Sequence, residues 1–365
     1  MTLLHIGLSL SPTWLRAGSW RRPDSRVEEL FTADFFVEAA RSAEAAHLDF
    51  LFKPDALTLD PASVEHGLGF SALDPTMLMA ALVAETTRIG LVPTLSSTFA
   101  HPFTTARQLQ SLDRLSAGRA GWNVVTSLGG GENFADRDVP ADPYVNAVDF
   151  VTVVEGLRQS FPARALHHDR TAGVFADPAA LSQVPPHGRY ASAGPLSVPA
   201  LSDEPLPLLH AGGSPASVDF AARFADAVFA MTAETSDGVA LRGRLHAGAG
   251  AAGRKRAPLV LPGVSLCLAP TRAQAEELAN ENQPGPTSPA HVRHWTIVGT
   301  PQDAVDEILR RADAGAIDGV IALPAASWGS LHLFTSEVVP ALAAAGRFRT
   351  AYSGTTLRGH LAEGI

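Results

Sequence analysis

The sequence predicts an α/β fold of the (β/α)8 type, a TIM barrel, and three observations carry that expectation. Apolar runs of strand length alternate strictly with helical segments, a pattern that builds right-handed crossovers between parallel strands. About eight such runs recur, each roughly thirty to fifty residues from the next, which is the arithmetic of a closed barrel. No G-x-G-x-x-G follows the first run, where the chain reads SLSPTWL, so a doubly wound sheet would lack its phosphate-binding turn. With 365 residues, 46% of them hydrophobic and only 18% charged, the chain suits one large domain spanning 1–365.

The elements follow in order. Residues 5–10 (HIGLSL) form the first strand candidate and lead into the irregular stretch WLRAGSWRRPDS. Thr32 is a candidate N-cap for a helix over 34–47, in which Phe36, Ala39, Ala40 and Ala43 fall at helical spacing. A short buried strand, 49–52 (DFLF), runs into Lys53-Pro54-Asp55. Helix 75–86, strand 88–95, helix 102–115 and strand 119–125 repeat the unit, and the strands are nearly continuous apolar runs, as parallel strands buried on both faces must be. Helix 149–161 stops at Pro162, and residues 162–205 hold so many prolines and short segments that they read as an inserted hairpin or lid after the fourth barrel helix. Strands at 206–211, 227–231, 260–268 and 319–323 complete the eight, separated by helical segments near 218–224, 239–247, 272–280 and 301–314 and followed by one at 334–345.

Composition excludes several function classes. A net charge of -9, with Arg254-Lys255-Arg256 as the one short basic run, argues against a nucleic-acid surface, and that run reads as a solvated helix end. The single cysteine, Cys267, sits in an apolar run (VSLCLAP), excludes an internal disulfide and suits a reducing compartment. No stretch of about 18 apolar residues occurs, so the expectation is a soluble, cytoplasmic protein with no membrane partner.

Barrel active sites form at the C-terminal ends of the strands, and the polar residues predicted there are Ser9, Ser11, Asp55, Thr94, Ser96, Asn123, Thr126, Ser127 and the turn Gly212-Gly213-Ser214. Asn123 stands inside a core strand, where an unpaired amide costs about 1–3 kcal/mol, so it needs a partner: a ligand edge, a neighbouring backbone group or a buried water. In HAGGSPAS, residues 210–217, two glycines and a serine join a strand to a helix, which is either a tight connection or a phosphate cradle of free N–H groups at a helix start. Trp20 in the first loop reads as an anchor for that loop. There is no P-loop, no G-x-S-x-G and no H-E-x-x-H, and His167-His168 lacks a third ligand, so no metal site is expected. His5 and His101, near predicted strand ends, are weak candidates for proton donors.

The stretch LDRLSAGRAGWNVVTS, together with LDPTMLMAALVAETTRIGLVPTLSS, AGGSPASVDFAARFADAVF and GTPQDAVDEILRRADAGAIDGVIALP, resembles the flavin-dependent monooxygenases of the bacterial luciferase-like superfamily. The likeness is to the nitrilotriacetate, EDTA and dibenzothiophene-sulfone monooxygenase group and covers most of the chain. What it implies is a barrel that takes FMN, reduced to FMNH2 by a separate NAD(P)H:flavin reductase, and uses O2 to oxygenate a small organic substrate through a flavin C4a-(hydro)peroxide. It implies a homodimer or homotetramer. By the same resemblance Asp55, Thr94, Asn123, Tyr144, Gly213 and Ser214 contact the cofactor. The chain departs from the group's pattern at Pro140, at Asn146-Ala147, at Pro215 and Ser217, and in the short segment 281–294. Two other functions share the fold: hydride transfer with a deazaflavin coenzyme, and non-catalytic flavin binding.

Overall fold

The computed structural model describes residues 2–16, 18–127, 129–136, 138–281 and 294–364. The chain begins β1 (His5–Ser9), α1 (Ala33–Ala45), β2 (Phe50–Lys53), α2 (Pro75–Leu82), β3 (Gly90–Ser96), α3 (Pro102–Leu115), β4 (Trp122–Val125) and α4 (Pro143–Gln159). A two-stranded hairpin, β5 (Leu166–Asp169) and β6 (Val174–Ala176), precedes β7 (Leu208–Ala211), α5 (Pro215–Phe224), β8 (Ala227–Ala230) and α6 (Thr235–Ala251). Then come β9 (Leu259–Leu268), α7 (Arg272–Glu281), β10 (Trp295–Gly299), α8 (Pro301–Asp313), β11 (Gly319–Pro324), α9 (Trp328–Leu333), α10 (Val339–Ala344) and α11 (Leu357–Ala362).

Eight strands close the barrel in the order β1-β2-β3-β4-β7-β8-β9-β11 and back to β1, every pair parallel. These are the eight strands the apolar runs predict. β10 is an addition: β9 is ten residues long, pairs with β8 through Leu259–Pro262, and offers its second half to β10, with Trp295 opposite Val264 and Gly299 opposite Leu268.

The strand period of two divides the core into two. Ile6, Leu8, Leu51, Leu91, Trp122 and Val124 face outward into the layer of helices, where Phe35, Phe36, Ala39 and Phe150 meet them. Phe50, Phe52, Val92, Leu209, Ala227, Leu261 and Ile321 fill the barrel together with Leu357 and Leu361 of α11. α11 therefore plugs the base of the cylinder. Two glycines make room for it, Gly90 opening β3 and Gly121 just before β4: a Cβ on either would stand 2.6 Å from a methyl group of Leu357. Sequence reasoning misses α11 and β10, and its helix at 334–345 starts late: Ser327 caps the run and its turns begin at Trp328.

Charges at the base neutralise one another. Asp49, fully buried, accepts the Ile6 N–H at 2.6 Å, pairs with His5 Nδ1 at 3.3 Å and takes a hydrogen bond from the Arg349 guanidinium. Burial works to raise this carboxyl, but His5, Arg349 and the Ile6 N–H outweigh it, and Asp49 is held below the usual carboxylate range. Arg349 is also 3.1 Å from Glu363. Arg254, of the one basic run, is less solvated than expected: it donates to the Ala222 carbonyl at 3.2 Å, near the C-terminus of α5. Cys267 is free and buried.

Candidate active site at the open end of the barrel

Proline 75, 102, 143, 215 and 301 each open a helix after a strand, so the strand-to-helix turns gather at one rim. On its inner wall, register places Thr94 of β3 beside Asn123 of β4. Asn123 is 1% exposed; its amide N–H donates to Thr94 Oγ1 at 3.0 Å, and its Oδ1 is buried with no partner among the described residues. The neighbouring strand satisfies the donor that the sequence requires to be paired, and the acceptor has no partner among the described residues. Two more buried acceptor or donor atoms nearby, Thr232 Oγ1 after β8 and His294 Nδ1 before β10, are also without a partner there. Phe52 and Phe229 stack at 5.2 Å across the barrel beneath, and His294 lies 5.6 Å from Phe229.

The β7–α5 turn is built with care. Ser214 caps α5, accepting the Ser217 N–H at 3.2 Å, while Ser214 and Gly213 are exposed. Gly213 has open space where a Cβ would stand, whereas a Cβ on Gly212 would meet Ser217 Oγ at 2.3 Å. His210, 1% exposed, donates from Nδ1 to the Val124 carbonyl at 2.7 Å, so Nε2 accepts from the Ser217 hydroxyl at 2.9 Å. Burial lowers the His210 pKa, which keeps this imidazole neutral and the tautomer fixed. Ser217, a departure from the family pattern, thus holds His210 rather than a ligand. Tyr144, in the first turn of α4, packs edge-on against His210 at 6.0 Å, and so stands beside the Gly212–Ser214 turn.

Asn146 is likewise occupied. Its amide donates to the Ser97 carbonyl at 2.8 Å and its Oδ1 accepts the Tyr190 hydroxyl at 2.9 Å, latching the proline-rich stretch to the rim. Trp20 anchors its loop as expected, through a bond to the His66 carbonyl at 3.1 Å.

The sequence-predicted residues therefore divide. Thr94 and Asn123 are bonded to each other; Gly213 and Ser214 lie in the β7–α5 turn, and Tyr144 of α4 packs on His210 just before it. Asp55, after β2, lines a rim cavity of about 80 Å³ with Ser11, Arg16 and Lys53. Although Asp55 is exposed at the rim, desolvation by the surrounding loops and the Asp74 charge raise its carboxyl above the ordinary value, against the Ala56 N–H and Lys53. His5 does not reach the mouth: it opens β1 at the closed end, bound to Asp49, because the strand runs from base to rim. His101 follows β3 on the outer rim, exposed, accepting the Phe103 N–H at 3.3 Å as the cap of α3. The short segment 281–294 falls, but for its two ends, outside the described residues. Among the described residues no three His, Cys, Asp or Glu side chains gather to hold a metal, and no helix is long and apolar enough to cross a membrane. Sequence reasoning misses the His210–Ser217 pair, the Tyr190 latch and buried Lys53. The first has a signal, a lone histidine in an apolar strand before Gly-Gly.

Eight parallel strands closed into a barrel and alternating with helices make a (β/α)8 fold, in which active sites form at the rim that carries Asn123 and the β7–α5 turn. The chain belongs to the luciferase-like monooxygenase family, whose model matches residues 12–294, and is an oxidoreductase of the monooxygenase class. It is 31% identical to dibenzothiophene-sulfone monooxygenase of Rhodococcus erythropolis over 94% of this chain and 92% of the relative. It is 29% identical to nitrilotriacetate monooxygenase component A of Aminobacter aminovorans, over 98% and 96%. Among solved structures, a riboflavin lyase with modified FMN and riboflavin superposes with a TM-score of 0.88 at 28% identity, covering 98% of this chain and 95% of that one.

Proposed function

We propose that this chain is the oxygenating component of a two-component flavin monooxygenase, taking FMNH2 from a separate NAD(P)H:flavin reductase and using O2 to oxygenate a small organic substrate. The observation that carries the reading is Asn123: a buried acceptor on the barrel wall, without a partner among the described residues, costs about 1–3 kcal/mol, which a donor such as a ring N–H set against it would recover. The relatives support the rest, one being named as component A of its enzyme and another solved with modified FMN. The net charge of -9 fits a protein without a nucleic-acid partner, and the family resemblance extends to a cytoplasmic homodimer or homotetramer.

The residues fit the cofactor in two places. Asn123, oriented by Thr94, would hold the ring edge, and the Gly213–Ser214 turn with Tyr144 alongside would hold the phosphate at the start of α5. When bound, reduced FMN supplies the electrons that activate O2. The chain's own part is positioning and dryness: the Phe52–Phe229 stack floors the mouth with apolar surface, and neutral His210 holds the β7–α5 turn rigid between Val124 and Ser217. No residue is assigned as general acid or base.

The test is to titrate the protein with FMN, then supply FMNH2 from a reductase under 18O2 with a panel of thioethers, amines and sulfones. The reading expects FMN association and one 18O atom in a product. It fails if FMN does not bind, or if hydrogen peroxide is the sole product throughout.

A further inference from the structure

Of the 28 Lys and Arg residues in the chain only two are lysines, Lys53 and Lys255. A chain that uses arginine for almost every positive charge puts one of its two lysines at the end of β2 and buries it to 1% exposure. Its Nζ has a single hydrogen-bond partner among the described residues, the Pro54 carbonyl at 3.0 Å, and no carboxylate within ion-pair distance. A buried ammonium with one of three donors satisfied is costly, and evolution of stability alone would replace it with an apolar side chain. Burial indeed lowers its pKa, against the opposing influence of Asp55 and Asp74.

Lys53 lines the rim cavity of about 80 Å³ together with Ser11, Arg16, Asp55 and Phe70. The space suits a group of a few heavy atoms, and a compact ammonium serves it where a guanidinium fork would fill it. Asp55, exposed on the cavity rim, and Asp74 are the carboxylates whose charge bears on Lys53, neither within ion-pair distance, and desolvation together with Asp74 raises the Asp55 carboxyl against the pull of Lys53. Arg16 also lines this cavity; burial first, and then the Arg16 charge, lower the pKa of His294, which packs on Phe229.

Building on the flavin monooxygenase reading, we propose that the substrate carries a carboxylate, which docks against Lys53 in the cavity between the loops that follow β1 and β2. The remainder of the substrate then extends past Arg16 toward the Phe52–Phe229 floor, where its oxidisable atom meets the cofactor. Lys53 is a specificity residue in this scheme and takes no part in the oxygen transfer.

The experiment uses protein loaded with FMN, so that a failure to bind FMN, seen first, counts against the functional reading and not against this one. Calorimetric titration with a panel of short aliphatic carboxylates and their primary amides comes next. At least one acid is expected to bind roughly ten- to hundredfold more tightly than its amide, the factor that a charge-assisted hydrogen bond contributes. Lys53→Met should erase that preference, leave FMN affinity unchanged, and hold or raise the melting temperature. Amides that bind as well as acids, no acid bound at all, or a preference that survives in K53M would overturn the proposal. So would a K53M protein that melts earlier with its preference intact, the behaviour of a structural counter-ion to Asp55 and Asp74.

Discussion

The two ends of the barrel differ in how their buried charges are held: both keep some polar atoms without a hydrogen-bond partner among the described residues, His5 Nε2, Arg349 Nη1 and His360 Nδ1 at the base included, but only the base pairs its charges with one another. At the base, Asp49 is surrounded by His5, Arg349 and the Ile6 N–H, Arg349 reaches Glu363, and α11 seals the cylinder with Leu357 and Leu361. At the rim, Asn123 Oδ1, Thr232 Oγ1 and His294 Nδ1 have no partner among the described residues, and Lys53 has only a carbonyl. Here the closed end ties its buried charges into ion pairs that carry stability, while the open end, where barrel active sites form, holds a buried lysine with no ion pair.

That contrast can be broken at the base first. Asp49→Ala leaves Arg349 and His5 buried beside an empty site, and should cost about 3–5 kcal/mol in urea unfolding. Because the folded Asp49 pKa is depressed, its contribution is present above the unfolded value and disappears as the pH falls through the folded one, so the difference between wild type and D49A should shrink in acid. At the rim the order of effects reverses. Asn123→Leu should weaken FMN binding by roughly ten- to hundredfold in a fluorescence titration, yet shift unfolding by no more than about 1 kcal/mol, since it removes an unsatisfied acceptor along with one hydrogen bond. A loss of stability without a loss of binding there would erase the distinction between the ends. Ser214→Ala removes the cap of α5, worth about 1 kcal/mol, and should lower affinity for FMN while leaving that for riboflavin, which lacks the phosphate, unchanged. The smallest effect concerns Cys267, whose thiol burial pushes up to about 11: no labelling by a thiol reagent is expected at pH 8 until denaturant is added.

Much of this fold was legible because parallel strands buried on both faces have to be apolar throughout, and DFLF, RIGLVPTL and GVIAL show it plainly. β10 escaped since WTIVG sits between a proline-rich gap and Gly-Thr-Pro, and what makes it a strand is the overhang of β9, a tertiary fact. α11 is under two turns long in a run of Ser, Thr and Gly; its helicity comes from Leu357 and Leu361 entering the barrel. Within the site, Asn123 and Ser214 could be named because each is chemically out of place in its surroundings. His5 is the exception that chain order alone corrects: it opens its strand, and in a parallel barrel the first residue of a strand lies at the base, away from the C-terminal rim. Lys53 carries no signal in the sequence: at the end of an apolar run a lysine reads as the point where the chain meets water, and only the loops folded over it reverse that.

The plug at the base has a consequence for how the molecule is made. Every strand from β1 to β11 is already synthesised before Leu357 becomes available, so a nascent cylinder has a hollow floor into which Phe50 and Val92 look with nothing to cover them. Completion of the interior is thus a late event, and a chain interrupted shortly before residue 357 would expose to chaperones and proteases the apolar surface that the finished enzyme hides most thoroughly.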